Sequence, residues 1–476
     1  MSVSPPHDRV LETAGLLPVG GELGFVPAGD LLPGLITASL DRAGRRARRL
    51  AEAQSRGAAL TLGLGPQEPG LADRLAWWPH GRPDRSPAAV VSSRLGRALD
   101  RRPEWFAALA CACRDAGGDR TGMLSVAGTT TARFLPRCAD LFGLELFACR
   151  VTTSWTAFRT SVLARPDPAE SPGLVLSPPA DPESASSGFE PVRDLLTLAL
   201  AGRATVLSLR PGGNLDRLLR GRLAESRRGT VRLAVGGGLV PEPLAGELIR
   251  LGAGHWSPPR HVASSASPAR SRTSAPILDA AGLVDRDDLL HCTRAANAPW
   301  PGQSESDYFD ELILGRPEAD RSALATLLKI VAGQRLVAAT RPVAGGPTAV
   351  SFTDVALADL PRLRVFRPHR GRWDFEPYGL AIRRQWLIER GARPVRYTDD
   401  PLVDSPDSAE RAWSQPARSR GPAAIDWTVE REWRHPGDLC LEELPADAGL
   451  VFVPSRAEAE RVAAVSRWGV VVVGAT

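Results

Sequence analysis

The chain has 476 residues, of which 43% are apolar and 24% charged, and its formal net charge is +5. This composition is typical of globular proteins, and the length predicts two domains. It argues against a membrane protein, because no apolar run is long enough to span a bilayer. Met1–Val10 also lacks the apolar segment of a signal peptide, so we expect a cytoplasmic protein.

The positive charge comes almost entirely from arginine, since Lys329 is the only lysine. Arginine binds phosphate as a planar fork, which suits a nucleotide or nucleic-acid ligand. The same bias is typical of a GC-rich genome, and +5 is too small to require a DNA partner. Six cysteines are scattered without a CxxC pair, so we expect neither a structural metal nor a disulfide framework.

Strands and helices alternate in the N-terminal half, after lead-in residues 1–87 that include an arginine-rich helix at Asp41–Ala53. The first predicted elements are strand Ala88–Ser92, a helix from Arg101 through Ala116, strand Met123–Ala127, helix Ala132–Leu144 and strand Glu145–Arg150. After an insertion at Arg165–Gly188, the pattern continues with helix Pro191–Ala201, strand Ala204–Leu209, helix Leu215–Ala224, strand Val231–Val235 and helix Pro241–Leu251. This alternation predicts a parallel sheet.

Two glycine-bearing turns follow strands of this predicted sheet, each before a helix. The first is Gly128-Thr129-Thr130-Thr131 and the second is Arg210-Pro211-Gly212-Gly213-Asn214. A helix that begins at such a turn has unpaired N–H groups, glycine allows a phosphate to approach them, and threonine hydroxyls add donors. Both turns would lie at one edge of the sheet, together with Ser93-Arg94. We therefore predict a nucleotide site, with Arg94 and Arg210 on the phosphate. The alternative, that the turns are only tight corners, stays open.

The N-terminal half resembles the Rossmann-like core of the DprA/LOG (SLOG) superfamily between Ala88 and Trp256. The resemblance rests on the strand end Val90–Arg94, the first turn, the segment Arg193–Leu200 and the second turn. It implies a nucleotide-binding domain that can mediate oligomerisation, or a DprA-like domain that binds single-stranded DNA. The second turn lacks the Gly-Thr and trailing glutamate of the LOG phosphoribohydrolases, which favours binding over hydrolysis.

A low-complexity linker, 257–276, precedes an α+β domain at 277–476. Its predicted elements are helices Ser306–Leu314 and Arg321–Val331 and strands Ala349–Thr353, Gly379–Arg383, Pro394–Thr398, Thr428–Arg434 and Gly449–Val453. Four tryptophans are predicted to be core aromatics rather than a base-stacking platform: Trp373, Trp386, Trp427 and Trp433.

Three clusters in this half resemble the His-Tyr-Glu branch of the ADP-ribosyltransferases and the AbiGi-type abortive-infection proteins. They lie at Leu289–Arg294, from Val350 to Gly379, and at Glu430–Arg434. The resemblance implies NAD as cofactor and assigns the roles residue by residue: His291 and Thr293 hold its ribose, Tyr378 or Phe352 stacks on nicotinamide, and Glu432 or Glu430 is catalytic. The alternative is that Glu432 forms an ion pair with Arg434 and that His291 is a structural strand residue.

The sequence thus predicts a Rossmann-like doubly wound parallel sheet followed by a smaller α+β domain. The leading hypothesis is a nucleotide-binding sensor fused to a mono-ADP-ribosyltransferase-like effector in phage defence. A DprA-like DNA-processing protein and a non-catalytic scaffold remain alternatives.

Overall fold

The structure is a computed structural model that describes residues 59–62, 71, 74–80, 83–163, 173–179, 189–225, 230–237, 239–258, 274–278, 286–338, 348–367, 372–398, 410–418 and 425–474. The predicted helix Asp41–Ala53 and most of the predicted linker lie outside these residues.

The described residues form the following helices and strands. The helices are α1 (Pro103–Gly118), α2 (Leu135–Phe142), α3 (Trp155–Leu163), α4 (Phe189–Leu200), α5 (Asn214–Ala224), α6 (Glu242–Arg250), α7 (Glu305–Leu314), α8 (Ala323–Gly333), α9 (Arg384–Glu389) and α10 (Arg456–Ala463). The strands are β1 (Ala59–Leu62), β2 (Leu75–Trp78), β3 (Ala88–Ser92), β4 (Met123–Val126), β5 (Leu146–Val151), β6 (Gly173–Leu176), β7 (Arg203–Ser208), β8 (Thr230–Ala234), β9 (Gly254–Trp256), β10 (Ile277–Leu278), β11 (Asp288–Cys292), β12 (Arg335–Leu336), β13 (Ala349–Thr353), β14 (Val365–Arg367), β15 (Arg372–Asp374), β16 (Gly379–Arg383), β17 (Arg393–Pro394), β18 (Arg396–Thr398), β19 (Ser414–Pro416), β20 (Glu432–Pro436), β21 (Leu439–Cys440), β22 (Gly449–Val453) and β23 (Gly469–Val472).

These elements divide into two compact units. Unit 1 comprises the described residues of Met1–Leu95, Arg102–Val262 and Phe309–Arg316, and unit 2 comprises those of Gly96–Arg101, Ala263–Tyr308 and Pro317–Thr476.

Unit 1 is built on a nine-stranded sheet with the order β1-β2-β6-β5-β4-β3-β7-β8-β9. The seven strands from β6 to β9 in that order are parallel, and β1 and β2 run antiparallel at one side. From β3 the chain adds β4, β5 and β6 on one side and then returns to add β7, β8 and β9 on the other. The predicted doubly wound parallel sheet is confirmed, and its strand order reverses between β3 and β7.

Helices cover both faces of this sheet. Alternate residues of each strand point to opposite faces, so each strand packs against helices on both sides. Ala89 belongs to a buried apolar cluster with Val192 and Leu196 of α4. On the opposite face, Ser92 accepts a hydrogen bond from the indole of Trp105 on α1 (3.1 Å). α1 begins with Pro103 at its first turn, as the sequence predicts.

Unit 2 contains an eight-stranded sheet with the order β10-β23-β22-β16-β11-β13-β20-β17. The first three strands are parallel to one another and the remaining neighbours are antiparallel. One face packs into a large apolar core that includes Leu380 and Phe352. The other packs into a smaller core that includes Ala381 and Phe452. The α+β expectation is confirmed, and three predicted strands, β13, β16 and β22, have the predicted bounds.

The predicted strand Thr428–Arg434 is wrong. Thr428–Glu430 is a turn of 3-10 helix, and β20 begins only at Glu432. Arg431 between them has a φ of 45°, a left-handed conformation that a strand cannot contain. Glu430 and Glu432 therefore do not alternate along one strand.

Candidate functional site

The predicted residues of unit 1 meet where the strand order reverses. Ser93 follows β3 and donates its backbone N–H to the carbonyl of Ser208, the last residue of β7 (2.8 Å). Its hydroxyl accepts the backbone N–H of Arg210 (3.0 Å). Arg94 and Arg210 are both exposed. Two loops that are more than one hundred residues apart in sequence are thus joined at the crevice where doubly wound sheets bind ligands.

The second predicted turn leads directly into α5. Gly213 is the N-cap of this helix, and glycine brings no side-chain oxygen to bond the first amides. The helix therefore presents the N–H groups of Asn214 and Leu215, with the positive end of its dipole, at the carboxyl edge of the sheet. Gly212 has a φ of 68°, which glycine adopts without strain.

One carboxylate already lies in this turn. Asp216 is buried, accepts the N–H of Gly212 (2.8 Å), and pairs with Arg220 (2.9 Å). Asn214 donates its side-chain amide to Asp194 (3.3 Å). Asp216 thus occupies one donor of the turn, and Arg220, which also pairs with Glu247 (2.7 Å), offsets part of its charge.

The first predicted turn differs from the expectation. α2 begins at Leu135 rather than Ala132, so residues 127–134 form a run of turns and no helix begins directly at Gly128. The Thr129 hydroxyl donates to the carbonyl of Val126 (2.8 Å), and it closes the strand end instead of adding a donor for a ligand. Thr130 is partly exposed beside it.

An arginine that we did not predict as a site residue lies against this turn. A Cβ placed on Gly128 would be 2.5 Å from Nη1 of Arg193, so the guanidinium rests directly on the glycine. Gly128 also has a φ of 86°. The close approach explains why this position is glycine, and it brings Arg193 of α4 to the ends of β3 and β4. The sequence signal for this contact was a glycine after a strand. Such a glycine does not identify the side chain that approaches it.

In unit 2 the three predicted clusters lie on neighbouring strands, but on opposite faces of the sheet. Leu290 of β11 is paired with Thr353 of β13, which is paired with Glu432 of β20, so these three point to one face. His291 points to the other face, where its ring lies edge-on to Phe352 at 5.7 Å between centroids. The predicted grouping of His291 and Glu432 in one cleft is therefore not formed.

The predicted NAD-contacting residues are engaged within unit 2. Thr293 is 2% exposed and donates its hydroxyl to the carbonyl of Ala323 (3.1 Å), and Phe352 is 2% exposed in the large core. The Tyr378 hydroxyl donates to Glu458 (2.8 Å). In this arrangement the ring of Phe352 and the hydroxyl of Thr293 leave no surface for a ligand.

His291 is half-buried in this arrangement. Its Nδ1–H donates to the carbonyl of Ser351 at 2.9 Å. Burial lowers the pKa of His291 to about 4, and the charge of Arg294 acts in the same direction. These observations fit the alternative that it is a structural strand residue.

Glu432 and Glu430 have different surroundings. Arg434, 3% exposed, donates to both carboxylate oxygens of Glu432 (2.9 and 2.6 Å), which makes a bidentate and buried ion pair. Burial raises the pKa of Glu430 to about 7, with a further contribution from the charge of Glu432. Arg367 lies 3.8 Å from Glu430 and opposes this shift.

In the part of the chain that the structure describes, no group of three or more His, Cys, Asp or Glu side chains is arranged to hold a metal ion. No helix there combines the length and the apolarity needed to cross a bilayer.

Comparison with known proteins gives a structural likeness but no match in sequence. No protein-family model and no curated protein matches the sequence. Among solved structures, the chain is similar to DNA processing protein A (DprA) from Streptococcus pneumoniae, with 16% identity and a TM-score of 0.29. The match covers 54% of this chain and 96% of that one. A likeness at this score does not bear on function. It also gives no support to the resemblance of the C-terminal half to ADP-ribosyltransferases.

Proposed function

We propose that unit 1 binds a phosphate-bearing mononucleotide in the crevice between β3 and β7. The observation that carries this proposal is the position of the strand-order reversal, which coincides with Arg94, Arg210 and the start of α5. In doubly wound sheets the ligand lies outside the carboxyl ends of the strands at such a reversal.

The phosphate would be held by three kinds of donor at this edge. The first amides of α5 point out of the helix, the exposed guanidinium groups of Arg94 and Arg210 flank the crevice, and Arg193 lies on Gly128. Arginine forks match phosphate oxygens in pairs, and a helix N-terminus favours a negative charge.

A mononucleotide fits this edge better than a dinucleotide. The turn after β3 reads Ser92-Ser93-Arg94-Leu95-Gly96 and lacks the three-glycine G-x-G-x-x-G spacing that allows a pyrophosphate to approach the backbone. Serine and arginine at this turn instead supply side-chain donors.

The effector half of the sequence-based hypothesis has weaker support. Transferase activity with NAD and a role in phage defence stay predictions, and the separation of His291 and Glu432 on opposite faces counts against a shared cleft. Binding of single-stranded DNA at the unit 1 edge is the competing proposal, as expected for a DprA-like protein.

The proposal is tested by thermal shift and calorimetry of the full chain with AMP, ADP and cyclic AMP, with adenosine as the matched ligand without phosphate. Ligand at a hundred times its Kd should stabilise the protein by about 2.7 kcal/mol. Arg210→Ala should weaken AMP binding about tenfold, which corresponds to one charge-assisted contact. Arg250→Ala, which removes an exposed arginine in the last turn of α6, is the control.

Gly128→Ala probes the Arg193 contact. It combines a strained φ with a clash at the guanidinium, so AMP binding should fall at least tenfold as Arg193 is displaced. Gly252→Ala has a φ of 106° with open space around it and controls for strain alone. The proposal fails if no nucleotide shifts the transition, or if adenosine shifts it as much as AMP. A shift with oligonucleotide only, lost in Arg210→Ala, would favour the DNA-binding alternative at the unit 1 edge.

A further inference from the structure

A two-stranded ribbon of unit 2 presents two aromatic rings to solvent. β14 and β15 pair antiparallel, with Phe366 directly opposite Trp373. The two side chains are 45% and 40% exposed, and they are the aromatic members of the exposed large apolar side chains that the structure describes. Their ring centroids lie 5.4 Å apart, with planes inclined at 58°. The sequence-based prediction that Trp373 is a core aromatic is therefore wrong.

The two faces of the ribbon have opposite characters, because neighbouring residues on a strand point to opposite sides. On the inner face Asp374 is 8% exposed and accepts from Arg367 (3.2 Å) and Arg294 (3.3 Å). Arg367 also lies 3.8 Å from Glu430. This ion-pair network holds the inner face against unit 2, so the aromatic pair is fixed on the outer face rather than exposed by fraying.

The ribbon and the residues just before it are strongly basic. Residues 362–373 contain five arginines and no Asp or Glu. The exposed guanidinium of Arg364 lies over one face of the Trp373 ring, 4.7 Å from its centre. A base that stacks on Trp373 therefore takes the other face or displaces this guanidinium. Arg362 is also exposed, with a surface ion pair to Asp359 (2.8 Å). Cationic groups therefore border the aromatic pair.

We propose that this ribbon binds single-stranded nucleic acid, with bases stacked on Trp373 and Phe366 and backbone phosphates paired with Arg362 and Arg364. Solvent-exposed aromatic rings next to arginines are the combination that single-strand binding requires, since every base has a face that can stack. A duplex hides those faces within its own stack, so it can use only the arginines. An apolar protein partner would leave the arginines unmatched, and two rings supply far less apolar area than a stable protein interface.

The test is fluorescence anisotropy of the full chain with a labelled oligothymidylate of about 20 nucleotides, beside oligouridylate and a duplex of equal length. Trp373→Ala and Phe366→Ala should each weaken single-strand binding roughly 5- to 150-fold, the range for loss of one stacked base. Trp373→Phe should retain part of the affinity. Val465→Ala, which shortens an exposed apolar side chain elsewhere in unit 2, is the control and should change nothing.

Two more variants test the contribution of charge to binding and the location of the binding site. Arg364→Gln should reduce the slope of log affinity against log salt by about 0.7, the effect of one phosphate contact on a single strand. Arg210→Ala should leave oligothymidylate binding unchanged, because this proposal is independent of the nucleotide site in unit 1. The proposal is overturned if no oligonucleotide binds, or if the duplex binds as tightly as the single strand. It is also overturned if Trp373→Ala binds like the wild type, or if Arg210→Ala abolishes binding while Trp373→Ala does not.

Discussion

The predicted site residues of unit 1 follow the ends of strands, whereas many of those in unit 2 lie within strands. In a parallel sheet the carboxyl ends of all strands meet at one edge, so Arg94 and Arg210 lie together whichever way the preceding side chains point. In the antiparallel part of the unit 2 sheet, alternate residues point to opposite faces, so His291 lies in one core and Glu432 on the other face. Residues that follow parallel strands therefore lie near one another at one edge of the sheet, even when they are distant in sequence. Residues within a strand instead pack against the core on one face or the other.

The largest expected effect tests that packing at Gly379, the first residue of β16. A Cβ here would lie 2.0 Å from the carbonyl oxygen of His291 and 2.5 Å from the Phe452 ring. Because backbone on one side and a buried ring on the other cannot yield, Gly379→Ala should lower the free energy of unfolding of unit 2 by about 4 kcal/mol. Urea unfolding of the full chain, followed by circular dichroism, measures this change.

Gly246→Ala is the matched control, since Gly246 lies within α6 of unit 1 and the added Cβ would face open space outside the helix backbone. It should stabilise unit 1 by about 0.5–1 kcal/mol through helix propensity. If Gly379→Ala unfolds at the same urea concentration as the wild type, β16 does not pair with β11 and β22 as described.

The second effect distinguishes a structural Glu432 from a catalytic one. Glu432→Gln leaves the buried guanidinium of Arg434 with carbonyl and amide acceptors but no countercharge. The variant should lose about 3 kcal/mol of stability, as is typical when one partner of a buried pair is removed. Glu460→Gln breaks an exposed pair with Arg456 and should cost less than about 0.5 kcal/mol. If Glu432→Gln kept full stability and abolished an ADP-ribosyl transfer that the wild type performs, the catalytic hypothesis would be restored.

Much of unit 1 could be predicted from the sequence, because its signals are local. Buried apolar runs such as Ala88–Ser92 and the glycine at the start of α5 identify a strand, a turn and a helix without knowledge of the rest of the chain. The parallel arrangement then follows from the alternation of these elements. The predicted ligand-binding roles of these residues remain predictions.

The features that depend on contacts between distant segments could not be predicted from the sequence. Which face of the sheet Glu432 occupies depends on its register with Thr353. The strand also begins only after Arg431, whose left-handed conformation the sequence does not indicate. The exposure of Trp373 depends on an inner face fixed by Arg367 and Asp374. In each case a contact between distant segments decides the role of a residue whose type is ambiguous.

The smallest expected effect concerns two titratable groups of unit 2 that act in opposite directions. Glu430 has a folded pKa raised to about 7 by burial, above the 4.5 of a free glutamate. Between these values the folded state holds a proton that the unfolded chain has lost, so stability falls as the pH rises. His291 has a pKa lowered to about 4 from 6.5, so the unfolded chain holds the extra proton and stability rises with pH in that window. Below about pH 6.5 the two contributions partly cancel.

Glu430→Gln isolates one of these two contributions. The variant has no group to titrate, so relative to the wild type it should gain about 1–2 kcal/mol of stability between pH 5 and pH 8. Urea unfolding of both proteins at several pH values measures the difference, with Glu460→Gln as the exposed control, which should show no such gain. A change of the opposite sign would mean that Arg367 stabilises the charged carboxylate more than burial destabilises it. The ion pair between Arg367 of the ribbon and Glu430 would then be strongest above neutral pH, because a charged Glu430 pairs more strongly with Arg367.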